Sequence, residues 1–480
     1  MKTMRINKII LYTALTFTAL FYSACSVQPL VRRTENTATP ALFGTHSDST
    51  NTASLKWNVF YRDADLKALI DTALKNNQEL NIMLQEINIA RNEVRARKGQ
   101  YLPFADIGAG AGVEKTARYT SKGANDANTD IKPGVKMPEP LPDYIVSVAA
   151  SWEIDIWKKL RNSKQAAVNR YLGTIEGKNF MVTHLIAEIA NSYYELMALD
   201  NQLDILKKNI AIQQNALEIV KLEKNSAKVT ELAVRKFEAE VLKNQSRQFY
   251  IVQQITETEN RINFLVGRFP QPIRRNSSGF TDLMPDSIKV GIPSQLLANR
   301  PDIRQAERAL AAAKLDVKSA RAKFYPSFII SAGVGFQAFN PQYLVQTPES
   351  MLFAIAGNAI APLINRNAIK AEYYTANNKQ VQAVYNYERS ILGAYIEVAN
   401  QVSNINNLSQ SYALKTQQVE ALTQSIEIST VLFRSARADY MEVLLTQRDA
   451  LEAKFELIET KKQQMNAVVN IYQALGGGWR

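Results

Sequence analysis

The chain is written twice, and each copy joins two incompatible periodicities. A helical pattern carrying Ala90, Arg91 and Val94 runs into Lys98-Gly99-Gln100-Tyr101-Leu102-Pro103, followed by Gly110-Ala111-Gly112. At an offset of 223 positions, Ala313, Lys314 and Val317 run into Arg321-Ala322-Lys323-Phe324-Tyr325-Pro326, followed by Gly333-Val334-Gly335. Asn76 falls on Asn299 and Leu80 on Ile303 without a gap. In both copies a helix stops at an aromatic-proline step and gives way to a Gly-spaced strand pattern. A duplicated helix-to-strand unit constrains the architecture before any single motif does.

The strand pattern is the first half of that constraint. Val146, Val148, Ala150, Trp152, Ile154 and Ile156 share one face, and Ser147, Ser151, Glu153 and Asp155 share the other. Alternation over about ten residues is what a transmembrane β-strand requires. With a strand at 105–116 it predicts a β-hairpin over about 101–157, joined by a polar stretch, 121–142, containing Gly123, Pro133, Gly134, Pro138, Pro140 and Pro142. In the second copy Phe328, Ile330, Ala332, Val334 and Phe336 alternate with Ser327, Ser331, Gly333, Gly335 and Gln337. A partner strand near 351–361 completes a hairpin over about 325–362, with Pro341 and Pro348 in its loop. Tyr101, Phe104, Trp152, Trp157, Phe324, Tyr325 and Phe328 cluster at strand ends, where aromatic girdles meet a membrane interface.

The second half is helical. No proline occurs between Pro142 and Pro270 or after Pro362. Leu203, Leu206, Ile210, Leu217 and Val220 recur at three-four spacing, with Gln213 in the missing heptad slot. A helix over 158–226 would hold ~70 residues and run ~100 Å at ~1.5 Å per residue. The second copy repeats it over about 366–437. Each breaks at a short turn, Asn225-Ser226-Ala227-Lys228 or Ser435-Ala436-Arg437-Ala438, and returns through 231–267 or 441–475. Coiled helices are thus expected over about 158–267 and 366–475. Residues 268–300 hold Pro270, Pro272, Asn276-Ser277-Ser278-Gly279, Pro285 and Pro293, which cannot continue a helix. They read as a surface belt or linker, dividing the chain into repeats 57–290 (linker 268–290) and 291–480.

Four strands cannot close a membrane barrel, since single-chain barrels begin at eight. An open sheet edge is not tolerated in lipid. The expected fold class is therefore mainly α with a membrane β-barrel completed by several copies, the helical hairpins ringing the same axis. That is a multi-subunit conduit.

The N-terminus supplies an address. Lys2, Arg5 and Lys8 precede a mostly apolar run, Ile9 to Phe21, too short to span a bilayer, so 1–24 reads as a signal peptide. It closes on Tyr22-Ser23-Ala24-Cys25, which resembles a bacterial lipoprotein box with Cys25, the chain's one cysteine, as the acylated N-terminus. Ser26 after it favours the outer membrane by the sorting rule of such lipoproteins. Polar residues 25–56 then form a lipidated tether. Net charge is +12, and +9 once Lys2, Arg5 and Lys8 are removed. No basic run with interleaved aromatics accompanies it, so no nucleic-acid partner is expected and the charge belongs to solvated helix faces.

An enzyme finds little support. Of the two histidines, His46 lies in the tether and His184 inside a long helix. No Ser/His/Asp arrangement, phosphate loop or metal-ligand spacing is present, so no catalytic residue, cofactor or metal is expected. Glu153 and Asp155 fit pore lining better than acid-base chemistry. A structural coiled-coil lipoprotein would explain the helices but not the two alternating hairpins.

The run Ile292-Pro293-Ser294-Gln295-Leu296-Leu297-Ala298-Asn299-Arg300-Pro301-Asp302-Ile303-Arg304-Gln305-Ala306-Glu307 resembles the mid-chain signature of outer-membrane efflux lipoproteins of the TolC/OprM/NodT type. Ala320-Arg321-Ala322-Lys323-Phe324-Tyr325-Pro326 continues it, and Ala474-Leu475-Gly476-Gly477-Gly478-Trp479 is similar to the family's ending, echoed by Leu265-Val266-Gly267. Trp152-Glu153-Ile154-Asp155 with Leu160-Arg161 resembles its segment after the first hairpin. The resemblance implies a TolC-like homotrimer with a twelve-stranded outer-membrane β-barrel and a long periplasmic α-barrel. It implies docking through a periplasmic adaptor protein onto an inner-membrane pump, often of the RND type, to export drugs or other toxic small molecules without catalysis. An exit channel for a type I protein-secretion system is the alternative within the family.

The same resemblance assigns the tips. Family members close at the periplasmic end with acids just after the helix turns, positions held here by Glu231 and Glu442; rings of such charges gate and select cations. A further acid one turn later in some members is Leu445 here. Glycines usual at both turns are Ala227 and Ala436, and alanine tolerates positive φ poorly. Ser226, Val229, Ser435 and Arg437 are the expected adaptor contacts.

Overall fold

Apolar spacing and absent prolines give the helices their lengths. A computed structural model describes residues 30, 33–43, 50–284, 288–362, 364–435 and 437–480. The leader 1–24, Cys25, Ser26, His46, Pro285 and Ala436 lie outside the described residues. Helices α1 (Ala64–Asn76) and α2 (Gln78–Tyr101) precede strand β1 (Phe104–Glu114), the short helix α3 (Ser121–Asn128) and strand β2 (Leu141–Ile154). Helix α4 (Lys159–Asn225) has 67 residues and returns as α5 (Glu231–Val266). The second repeat follows as α6 (Pro301–Ala322), β3 (Ser327–Ala338), β4 (Met351–Ile360), the 68-residue α7 (Asn367–Arg434) and α8 (Tyr440–Ala474). Among the described residues no helix is long and apolar enough to cross a membrane.

The chain folds as two compact units. Of the described residues, one comprises Asn88–Leu172 and Arg308–Val384 with Leu30, Arg33 and Thr34; the other comprises those within Glu35–Ile87, Gly173–Glu307 and Tyr385–Arg480. The first holds one antiparallel sheet in the order β1-β2-β3-β4, so the two hairpins lie side by side through β2 and β3. The polar stretch expected between β1 and β2 is not plain loop. Thr120 caps α3 by accepting the Gly123 N–H at 3.1 Å, and Asp130–Lys132 pairs with Val135–Lys136 across a turn at Gly134.

In the second unit the largest core gathers Leu66, Ile70, Ile186, Ile189, Tyr193, Leu196, Ile262, Phe280 and Tyr472. The belt is pinned into it, since Ile273 and Phe280 are buried and Arg275 pairs with Asp200 and Glu259. The tether is also anchored over part of its length: Phe43 stacks on Tyr395 with ring centres 5.3 Å apart, and Thr52 donates its N–H to the Lys289 carbonyl at 2.8 Å.

The duplication is visible in atomic detail where each return helix ends. Gly267 and Gly476, at φ +75° and +86°, close α5 and α8 in the left-handed region. Added side chains would strike the carbonyls of Asn76 and Asn299, residues that the sequence offset pairs. One residue on, the Asn77 amide donates to the Leu265 carbonyl at 2.9 Å, and the Arg300 guanidinium donates to the Ala474 carbonyl at 2.8 Å. Each donor satisfies a terminal helix carbonyl that has no partner within its own helix. The Arg300-Pro301-Asp302-Ile303-Arg304 signature is this buckle with added charge. Arg300 also pairs with Asp302 and Glu397 at 2.8 and 2.6 Å, Pro301 opens α6, and Arg304 pairs with Glu176 at 2.6 Å.

Candidate functional site

The sheet presents two chemically different faces. Hydrogen-bonded register places Ile107, Val148, Val334 and Phe353 in one row across all four strands. Ala109, Val146, Phe336 and Met351 form a second row, and Ala105, Ala150, Ala332 and Ile355 a third, on the same face. Ile107, Phe353 and Ile355 are 76%, 75% and 82% exposed, so none of the described residues covers this apolar surface. The rows between them carry Gly108, Ser147, Gly335 and Leu352, then Asp106, Ala149, Gly333 and Ala354. An exposed apolar face backed by one of mostly small residues, broken by Ile145, Ile329 and Leu352, suits lipid on one side and water on the other. Among the described residues β1 and β4 each keep an unpaired edge.

Where the sheet meets the helices, three expectations are corrected. Strand β2 ends at Ile154, so Ile156 does not extend its apolar face. Asp155 does not line a pore: it is buried, accepts the backbone N–H groups of Leu160 and Arg161 at 3.1 and 2.8 Å, and so caps the start of α4. That requirement explains Asp155 together with Leu160-Arg161. Glu153 pairs with Lys159 at 2.5 Å. Phe324 is buried against Tyr373 rather than standing in a girdle. Trp152 and Trp157 keep the amphipathic role, donating their indole N–H groups to the carbonyls of Tyr101 and Pro326 at 3.1 and 2.8 Å.

At the far ends of the long helices the two turns differ in charge. Helix α4 closes with the Lys228 N–H on the Glu223 carbonyl and the Ala227 N–H on the Lys224 carbonyl, at 2.9 and 2.8 Å. That wrapped ending demands a left-handed residue, and Ala227 supplies it at φ +54°. The Arg437 N–H bonds the Leu432 carbonyl at 2.9 Å in the matching place of the second turn. Glu231 is ion-paired with Lys224 and, at 2.9 Å, with Arg235. The hydrogen bond from Lys224 and the neighbouring guanidinium hold its carboxyl below the usual carboxylate range. Glu442 is exposed in the first turn of α8, and among the described residues no cation pairs with it. Sequence reading named both acids but missed the clamp on Glu231, although the four-residue Glu231–Arg235 spacing signals half of it.

The expected contact residues divide similarly. Ser226 and Ser435 are exposed, with their hydroxyls turned back on the carbonyls of Leu222 and Val431 at 3.2 and 2.9 Å. Arg437 is exposed. Val229 is half-buried and packs against the tip core of Leu217, Val220, Val234 and Phe237. His184 is exposed and bonds Gln473 at 3.1 Å.

A family model described as outer membrane efflux protein matches residues 69–268 and 292–477. The toluene efflux pump outer membrane protein TtgF of Pseudomonas putida is 27% identical over 437 residues, covering 91% of this chain and 88% of that protein. The cation efflux system protein CusC of Escherichia coli is 24% identical over 467 residues, covering 96% of this chain and 97% of that protein. Among solved structures, CusC superposes with a TM-score of 0.81 at 23% identity over 95% of this chain and all of that one. The open-state MtrE channel of Neisseria gonorrhoeae gives 0.82 at 20% identity, over 95% and 99%.

Proposed function

Since the chain belongs to the outer membrane efflux protein family, we propose that three copies join sheet edges into a twelve-stranded barrel and act as the exit duct of a tripartite pump. Its role is that of an outer-membrane efflux channel. The observation that carries the trimeric reading is the sheet: four strands with, among the described residues, an uncovered apolar face and two unpaired edges. Edge backbone groups left unpaired in lipid cost several kcal/mol each. Joining β1 of one copy to β4 of the next removes all of them.

In this reading small toxic compounds pass through the lumen, and the driving energy comes from an inner-membrane pump of the RND type reached through a periplasmic adaptor. Relatives named for toluene, solvent and pyoverdine export favour a small-molecule cargo over a protein-secretion partner. The channel needs no catalytic group of its own. Cys25 carries the lipid that holds the N-terminus in the outer membrane, with 1–24 removed. Ser226, Ser435 and Arg437 meet the adaptor; Val229 supports their turn from beneath. Glu442 is the gating acid, and Glu231, neutralised within its own subunit, contributes less. The test is affinity purification of the tagged chain from cells with intact envelopes. The adaptor and pump should co-purify, and deleting the chain should sensitise cells to small toxic compounds. Recovery of a secretion ATPase in their place would favour the alternative.

A further inference from the structure

Between α7, α8 and the belt, within the second unit, lies a cavity of about 540 Å³. Its walls are mostly apolar, with Val402, Ile405, Val468 and Ile471 prominent and Asn406 and Ser409 adding polar groups. Lys461 lines it and is 4% exposed. Its ammonium lies 4.5 Å from the centre of the Tyr412 ring, and among the described residues it has no ion-pair partner. Burial pushes it below the usual lysine range, with the carboxylate of Asp282 opposing from farther off. Gln464, one helical turn away, donates to the Leu408 carbonyl at 3.2 Å, while its own buried Oε1 has no donor.

An ammonium at the end of a buried side chain, compensated by a ring face and a more distant carboxylate and set beside an unsatisfied amide oxygen, is costly in a mostly apolar wall. One kind of molecule meets both deficits. We propose that this cavity binds a small anionic amphiphile whose acid group pairs with Lys461, whose hydrogen-bond donor meets Gln464 Oε1, and whose apolar body fills the walls. The volume is that of an ordinary small-molecule pocket. Nothing in this assignment depends on trimer closure or on the exported cargo.

Hydroxynaphthoate is a suitable probe, because it carries a carboxylate, a hydroxyl and an apolar ring system; naphthol lacks the charge. Calorimetric titration of the full-length protein in detergent, against a detergent blank, should show saturable hydroxynaphthoate binding. Lys461→Met should weaken it about ten- to hundredfold while leaving naphthol binding unchanged, and Lys461→Arg should retain most of it. Absence of saturable binding, or equal binding by Lys461→Met, would overturn the proposal. Should that variant fail to fold, amine-reactive labelling of the unmodified protein decides the matter. Hydroxynaphthoate should shield Lys461 and leave the exposed Lys208 unaffected; labelling of Lys461 that ignores the probe would refute the site.

Discussion

Ala227 occupies a backbone conformation that costs a non-glycine residue roughly 1 kcal/mol or more, at φ +54° in the first tip turn. Ala227→Gly should therefore stabilise the turn by about 1 kcal/mol. Slower hydrogen exchange across 222–230 in the variant would register the gain. Glu231 adds a pH signature to the same turn. A carboxyl depressed by its partners stabilises the fold above its ordinary range and loses that contribution as pH falls through the depressed value. The clamp on Lys224 and Arg235 should therefore loosen as pH falls below the ordinary carboxylate range. Exchange protection at the tip, corrected for intrinsic rate, should drop there, and Glu231→Gln should abolish the pH dependence. The two acids also separate functionally. Glu442→Ala should remove block of the channel by polyvalent cations, whereas Glu231→Ala should change it little. Equal effects would assign gating to both.

Along the elements, the long helices are held in register by polar as well as apolar contacts. Gln213 and Asn244 are 0% and 1% exposed and share a hydrogen bond of 2.8 Å between α4 and α5. Asn244→Leu strands the Gln213 carbonyl oxygen and should cost about 1–3 kcal/mol. Adding Gln213→Leu should recover most of that in a double-mutant cycle of thermal unfolding. The buckles should rank by charge: Arg300→Met, which leaves Asp302 without its cation and the Ala474 carbonyl without its donor, should cost about 3 kcal/mol or more. Asn77→Ala should cost about 1 kcal/mol. Helix and strand extents were legible because proline and period-two alternation are local signals. The heptad spacing marks Gln213 as a polar residue in an apolar seam, but nothing in that spacing points to a pair with Asn244. Asp155 was misread because alternation cannot say where a strand stops and a cap begins. The clamp on Glu231 involves Lys224 from across the turn, which spacing along one helix cannot reveal.

For the molecule as a whole, the duplication sets the count of parts. Each chain offers one four-stranded sheet and two helical hairpins, and three chains offer twelve such strands, above the eight at which closed barrels begin. The unequal buckles, turns and hairpin loops show that the copies diverged in chemistry while keeping their geometry. The sheet must close, because an open one leaves the backbone groups of its two edges unpaired in lipid. Single-channel recording in planar bilayers tests closure directly. Purified protein should insert as discrete, long-lived ohmic steps, carried only by the trimeric fraction. If trimers of verified mass and secondary structure inserted into the bilayer and conducted no ions under any voltage, the duct would not exist.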